Sequence, residues 1–123
     1  MVRMDHGDVA SIVKTFFANC EVAGLLLPDG WFGGRPMENQ HRLTFVAQRP
    51  KRLLVELDDQ ILLSFSGDAV VTQTTSQHAL LRGTPTLVVS GFRQCVLDYL
   101  QYGSDEPHLA SYSQGQVQFV APL

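Results

Sequence analysis

The sequence predicts an α+β domain, a curved antiparallel sheet of about six to seven strands packed against two amphipathic helices. Two apolar stripes at helical spacing predict the helices, one near each end of the chain. Between them apolar and polar residues alternate with period two, and the intervening turns are short enough for antiparallel hairpins.

The first stripe follows Asp8, a good N-cap. Val9, Ile12, Val13, Phe16, Phe17 and Cys20 share one face, while Ser11, Lys14 and Thr15 take the other. Val22 to Leu27 then reads as a strand. Pro28-Asp29-Gly30-Trp31-Phe32-Gly33-Gly34-Arg35-Pro36 carries three glycines and two prolines in nine residues and reads as a loop.

Alternation begins after it. Leu43, Phe45 and Ala47 predict one strand, Leu53, Val55 and Leu57 a second, and Ile61, Leu63 and Phe65 a third, with Asp58-Asp59-Gln60 closing a hairpin between the last two. Val70 to Thr75 is β-branched and strand-like, and Leu80 to Arg82 and Leu87 to Val89 continue the pattern around Gly83-Thr84-Pro85. The second helix is expected after Ser90, with Phe92, Cys95, Val96, Tyr99 and Leu100 as its stripe and Gly103 as its C′ residue. The tail, His108 to Ser113 and Gln116 to Val120 around Gln114-Gly115, reads as a final hairpin. No repeat or long linker divides residues 1–123, so one domain is expected.

Composition narrows the function classes. A hydrophobic content of 45% argues against disorder, and 9 basic against 12 acidic residues, a net charge of -3, does not suit a nucleic-acid binder. No apolar run approaches the ~18 residues of a membrane span. The start of the chain, Met1 to Asp8, lacks the apolar run of a secretory signal, which predicts a cytoplasmic protein. Cys20 and Cys95, each on a predicted helix face, are expected as buried free thiols; a disulfide between neighbouring helices is the alternative.

Candidate chemistry concentrates in the glycine-rich loop. Trp31, the only tryptophan, stands with Phe32 between glycines, and Arg35, Asn39, Gln40 and His41 follow. An aromatic plus a guanidinium can hold an anionic or planar ligand by stacking and bidentate hydrogen bonds. In the competing structural reading, Trp31 and Phe32 fold back as a lid on the sheet with Arg35 stacked on the ring. The glycines have neither P-loop nor dinucleotide-binding order.

Other clusters read as structural. Arg35, Arg42, Arg49, Lys51 and Arg52 crowd one stretch, as a patch for phosphate or an acidic partner or simply as solvated strand ends. Glu56, Asp58 and Asp59 could bind a hard cation, but Asp58-Asp59 suits a hairpin turn better. His6, His41, His78 and His108 are scattered without zinc spacing, so no metal or cofactor is expected. No nucleophile elbow is present. A C-terminal polar cluster of Asp98, Tyr102, Asp105, Glu106, His108 and Tyr112 is expected to close the fold against the basic stretch.

The run Leu27-Pro28-Asp29-Gly30-Trp31-Phe32-Gly33, continuing through Arg35-Pro36 to Asn39, His41, Leu43 and Thr44, resembles a group of small uncharacterised bacterial proteins. In that group a Pro-Asp-Gly-Trp-Phe-Gly-Arg-Pro stretch precedes a β-rich region. Arg49-Pro50, Val55-Glu56-Leu57-Asp58 and the closing Phe119-Val120-Ala121-Pro122 extend the likeness over most of the chain from Leu27 onward. Gly33-Gly34 departs from the pattern by lengthening the loop. The resemblance implies a stand-alone domain and draws attention to the Trp-Phe loop; it implies no activity.

The leading expectation is a non-enzymatic binding or interaction module that uses Trp31, Phe32, Arg35, Asn39 and His41 against a small anionic ligand or an acidic protein surface. A homodimer through an open sheet edge is a further expectation. The alternative is a small enzyme with its pocket between the Trp31–His41 loop and the C-terminal cluster, and His41 or His108 as the acid–base group. A third reading is a protective, immunity-type partner protein with a broad acidic face.

Overall fold

The computed structural model describes residues 9–32, 40–76, 82–99 and 110–122. Among them the chain forms one helix and eleven strands: α1 (Val9–Cys20), β1 (Ala23–Leu27), β2 (Gly30–Trp31), β3 (Gln40–His41), β4 (Leu43–Arg49), β5 (Arg52–Leu57), β6 (Ile61–Ser66), β7 (Val70–Thr75), β8 (Pro85–Ser90), β9 (Gln94–Tyr99), β10 (Ala110–Tyr112) and β11 (Val117–Val120).

The stripe of α1 falls as its spacing predicts. Val9, Val13, Phe16 and Phe17 are buried, and Ile12 and Cys20 pack against the same core. Asp8 lies outside the described residues. The helix ends at Glu21, whose left-handed φ of 66° lets its N–H reach Phe17 O at 2.8 Å. Phe17 meets Phe119 edge-on at 5.4 Å, which seats the helix on the sheet containing β11.

The strands form two antiparallel sheets, where a single curved sheet was expected. The first has the order β2-β1-β11-β8-β7, with β3 pairing the same edge of β1 as β2 does; the second has the order β10-β9-β6-β5-β4. Alternation supplies each inner face. Leu25, Phe119 and Leu87 face the core from the first sheet, and Val55, Leu63, Phe65 and Leu97 from the second, in one cluster that includes the α1 stripe.

Two glycines make the corner between the sheets. The antiparallel pair β6–β9 of the second sheet continues directly into the hairpin β7–β8 of the first, so one long antiparallel ribbon bends through both. The bend falls between the Ser66–Gln94 and Val70–Ser90 pairs, at Gly67 (φ 88°) and Gly91 (φ 71°). A Cβ on Gly67 would stand 3.0 Å from Arg93 N, so the close approach of the two strands also requires glycine there.

The second expected helix is instead strand β9. Its described burial alternates, Cys95 and Leu97 buried, Val96 and Asp98 half-buried, and it pairs with β6 along its whole length. Phe92, Cys95, Val96 and Tyr99 fit a helical period, but a helix on that stripe would strand Leu97 on the wet face. As a strand, Leu97 is 1% exposed. Leu100 and Gly103 lie outside the described residues.

The tail is not a hairpin either. β10 pairs β9 in the second sheet, while β11 runs between β1 and β8 in the first, so the turn at Ser113–Gly115 carries the chain from one sheet to the other. The expected strand at Leu80 to Arg82 falls partly outside the described residues, and Arg82 and Gly83 form a turn. Cys20 and Cys95 are free thiols. No described helix is long and apolar enough to cross a membrane.

Candidate functional site

Trp31 is placed by a pinned hairpin. Pro28-Asp29 joins β1 to β2, with proline at the first central turn position and Gly30 at the fourth, as a type I turn prefers. Across the fold, Tyr112 donates its hydroxyl to Asp29 Oδ1 at 3.0 Å. Burial, with the Asp29 carboxylate adding to it, pushes the Tyr112 phenol up to about 12. Pro28 in turn rests against Gly115, where a Cβ would approach to 3.0 Å. The β10–β11 connection therefore holds the turn that presents Trp31.

Register decides which way the loop residues face. Trp31 is opposite Leu26, which lies on the outer side of the first sheet with Gln118, Val88 and Thr72 along the same row. His41 is opposite Ala23, on the core side. Phe32, one residue beyond Trp31, turns inward and meets His41 edge-on at 5.5 Å. The structure thus brings Phe32 and His41 together and puts Trp31 on the opposite face. Arg35 and Asn39 lie outside the described residues.

His41 is held by a partner that sequence reading had assigned to a turn. The residue is 5% exposed, and Nδ1–H donates to Asp58 Oδ2 at 2.7 Å. The carboxylate can only accept, so this bond places the Nδ1 proton. Asp58 Oδ1 accepts the Arg42 N–H at 2.8 Å, and the Asp58 N–H returns to Arg42 O at 2.9 Å. Asp58 and Asp59 have φ of 59° and 55°, the positive pair that a type I′ turn requires and that Asp tolerates. Thr44 braces the same turn, accepting the Asp59 N–H at 3.0 Å and donating to Glu56 Oε2 at 2.9 Å. Among the described residues His41 Nε2 is buried without a partner.

The turn reading of Asp58-Asp59 therefore stands, and a second role joins it: Asp58 clamps β3 to the end of β5. No local signal announces this pair, because the partners are 17 residues apart and each has a sufficient explanation alone. Among the described residues no group of three His, Cys, Asp or Glu side chains is placed to hold a metal ion.

Arg49, Lys51 and Arg52 gather at the β4–β5 turn, with Arg42 at the other end of β4. Arg42, Arg49, Lys51 and Arg52 are exposed at strand ends, and Lys51 pairs with Asp68 at 3.3 Å with both side chains largely in water. Of the C-terminal cluster, Tyr112 meets Asp29, and Tyr102, Asp105, Glu106 and His108 lie outside the described residues.

The outer side of the first sheet carries the broadest depression among those described. A groove of about 560 Å³ is lined by Leu26, Val88, Thr72, Thr74, Gln116 and Gln118, with Thr75 and Ser76 toward one end of the β7–β8 pair and Ser90 toward the other. Leu26, Gln116 and Gln118 also line a second depression of about 390 Å³ that reaches Pro28, Gly30 and Gly115. The two run together across the sheet toward the hairpin that carries Trp31. Sequence reading missed this surface, whose contributors come from strands far apart in the chain. No protein-family model, curated protein or solved structure matches this chain.

Proposed function

We propose that this protein is a non-enzymatic binding module whose ligand lies on the outer side of the first sheet, against Trp31. The observation that carries this reading is the position of Trp31. The residue is half-buried and pairs with Leu26, a residue that the two depressions share, on the outer side of the sheet. A large aromatic presented outside the core by a turn pinned at both Asp29 and Pro28 is suited to contact a ligand with little loss of side-chain entropy. His41 then supports the site from behind, through the clamp on β3.

Titration of native protein with fractionated cell extract tests the reading, followed by the emission of the single tryptophan. A fraction that shifts the emission and binds wild-type protein but not Trp31→Ala is expected. If all fractions bind the variant as well as the wild type, Trp31 is not the contact.

A second reading is favoured by one observation, the Asp58–His41 pair with an unpartnered Nε2. A carboxylate on Nδ1 orients an imidazole for proton transfer at Nε2. In that reading the protein is a small hydrolase-like enzyme with His41 as general base. It predicts a His41-dependent activity with a pH profile that reports one imidazole, lost in His41→Gln and undiminished in Trp31→Ala.

A further inference from the structure

We propose that the groove beside Trp31 takes an uncharged, hydroxyl-rich ligand of the carbohydrate class. This deepens the binding reading above and rests on it. The juxtaposition that supports it is a hydrogen-bonding sheet face, without acidic or basic side chains among its described lining, next to the Leu26–Trp31 pair.

Charge separates this surface from the other described depressions. One, of about 250 Å³, includes Lys51, Arg52 and Asp68; another, of about 490 Å³, includes Lys14, Glu21 and Arg42. The two depressions that meet at Leu26 contain no acidic or basic side chain among the described residues. Among the described residues, an anion bound there would leave water without a cation to compensate it, and a cation would lack a carboxylate. The anionic ligand expected from Arg35 is not matched by the described lining.

The groups that do line the groove have one chemistry in common. Threonine and serine hydroxyls and glutamine carboxamides each donate and accept hydrogen bonds. A ligand hydroxyl also does both, so each contact can be satisfied in either direction. An apolar ligand would cover these groups and leave them unpaired, at a cost of about 1–3 kcal/mol each. Leu26 and Val88 lie among them, and Trp31 stands beside Leu26. Aromatic faces carry negative charge density and attract the weakly positive C–H groups of a sugar ring.

Geometry adds a preference for length. Gln118, Val88 and Thr72 occupy one register row across β11, β8 and β7, so their spacing is set by backbone pairing. The groove volume falls within the range of small-molecule sites. Because the second depression shares Leu26, Gln116 and Gln118 with the first, the surface continues past one sugar ring toward Pro28, as a linear oligomer requires.

The experiment uses the full chain and isothermal calorimetry together with Trp31 emission. The probes are maltohexaose, cellohexaose, xylohexaose and chitohexaose, with inorganic phosphate, a heparin-derived hexasaccharide and polyglutamate as charged counterparts. At least one neutral oligosaccharide is expected to bind, to shift the emission, and to keep its affinity from low to high salt. Thr72→Val and Gln118→Leu should each weaken it about tenfold with unchanged thermal midpoint, since each removes hydrogen-bonding capacity at constant bulk. Binding of the charged probes instead, weakened by salt, would overturn the carbohydrate assignment and leave the Trp31 binding module standing. If no probe binds while a cell-extract fraction still shifts Trp31, the assignment likewise falls alone. If neither probes nor extract act on Trp31, both fall.

Discussion

Trp31 and His41 are ten residues apart at either end of one loop, pair with the same strand, and face opposite ways. Trp31 is half-buried on the outer side of the first sheet, next to a groove without acidic or basic side chains among its described residues, held by backbone pairing and a turn that Tyr112 pins. His41 is enclosed, satisfied on one nitrogen by a carboxylate and covered by Phe32. The difference shows that proximity in sequence does not make a site when the residues sit on short strands of opposite parity. A shift of one position along an edge strand exchanges solvent for core.

The largest effect is expected on the buried side. Asp58→Ala removes the acceptor of the His41 Nδ1–H and of the Arg42 N–H, and also an Asp in left-handed conformation. A loss of about 2–4 kcal/mol in chemical denaturation is expected. Asp58→Asn, which tolerates the same backbone and keeps one acceptor, should lose about half as much. Equal losses would show that the carboxylate does not hold His41.

A smaller effect is expected where the two regions are tied together. Tyr112→Phe removes the bond to Asp29 and should cost about 1 kcal/mol at neutral pH. The wild type should also show an alkaline limb. The folded phenol is raised to about 12, above its ordinary value near 10, so its contribution is complete below pH ~10 and is lost as the pH rises toward about 12. The variant should lack this share of the limb; identical alkaline profiles would remove Tyr112 from the tie.

Thiol labelling sharpens the contrast between covered and open positions. Burial pushes the Cys95 thiol up to about 12, and raises Cys20 as well, although Cys20 is only half-buried at the helix end. Cys20 should therefore react first with a thiol reagent, and Cys95 only at the rate of unfolding. Native-state labelling of Cys95 as fast as Cys20 would contradict the burial of β9. The smallest effect is expected at Trp31: Trp31→Ala should change stability by less than about 1 kcal/mol, because the residue is half-buried on the outer side of the first sheet.

Much of the fold was legible in the residues. The α1 stripe and the alternation of Leu53-Val55-Leu57 and Ile61-Leu63-Phe65 each admit one period, and the structure follows them. The region after Ser90 admits two. Positions 92, 95, 96 and 99 satisfy a helix, whereas 95 and 97 satisfy a strand, and Leu97 is the residue that separates them. Partition into two sheets was not legible, because it depends on Gly67 lying against Arg93 and Gly91 against Asp68 and Val70 across a ribbon. The loop was recognised as a place to look, but the two-residue strands inside it, and so the opposed faces of Trp31 and His41, are set by pairing with β1. The neutral groove was invisible for the same reason: Leu26, Thr72, Val88 and Gln118 are ordinary strand residues until register aligns them.

Acrylamide quenching of the single tryptophan in the native protein separates Trp31 on the outer side of the first sheet, opposite in direction to His41, from a Trp31 buried in the interior. The account predicts emission that is readily quenched without unfolding. A blue-shifted emission that acrylamide reaches only after denaturation would place the ring in the interior and contradict it.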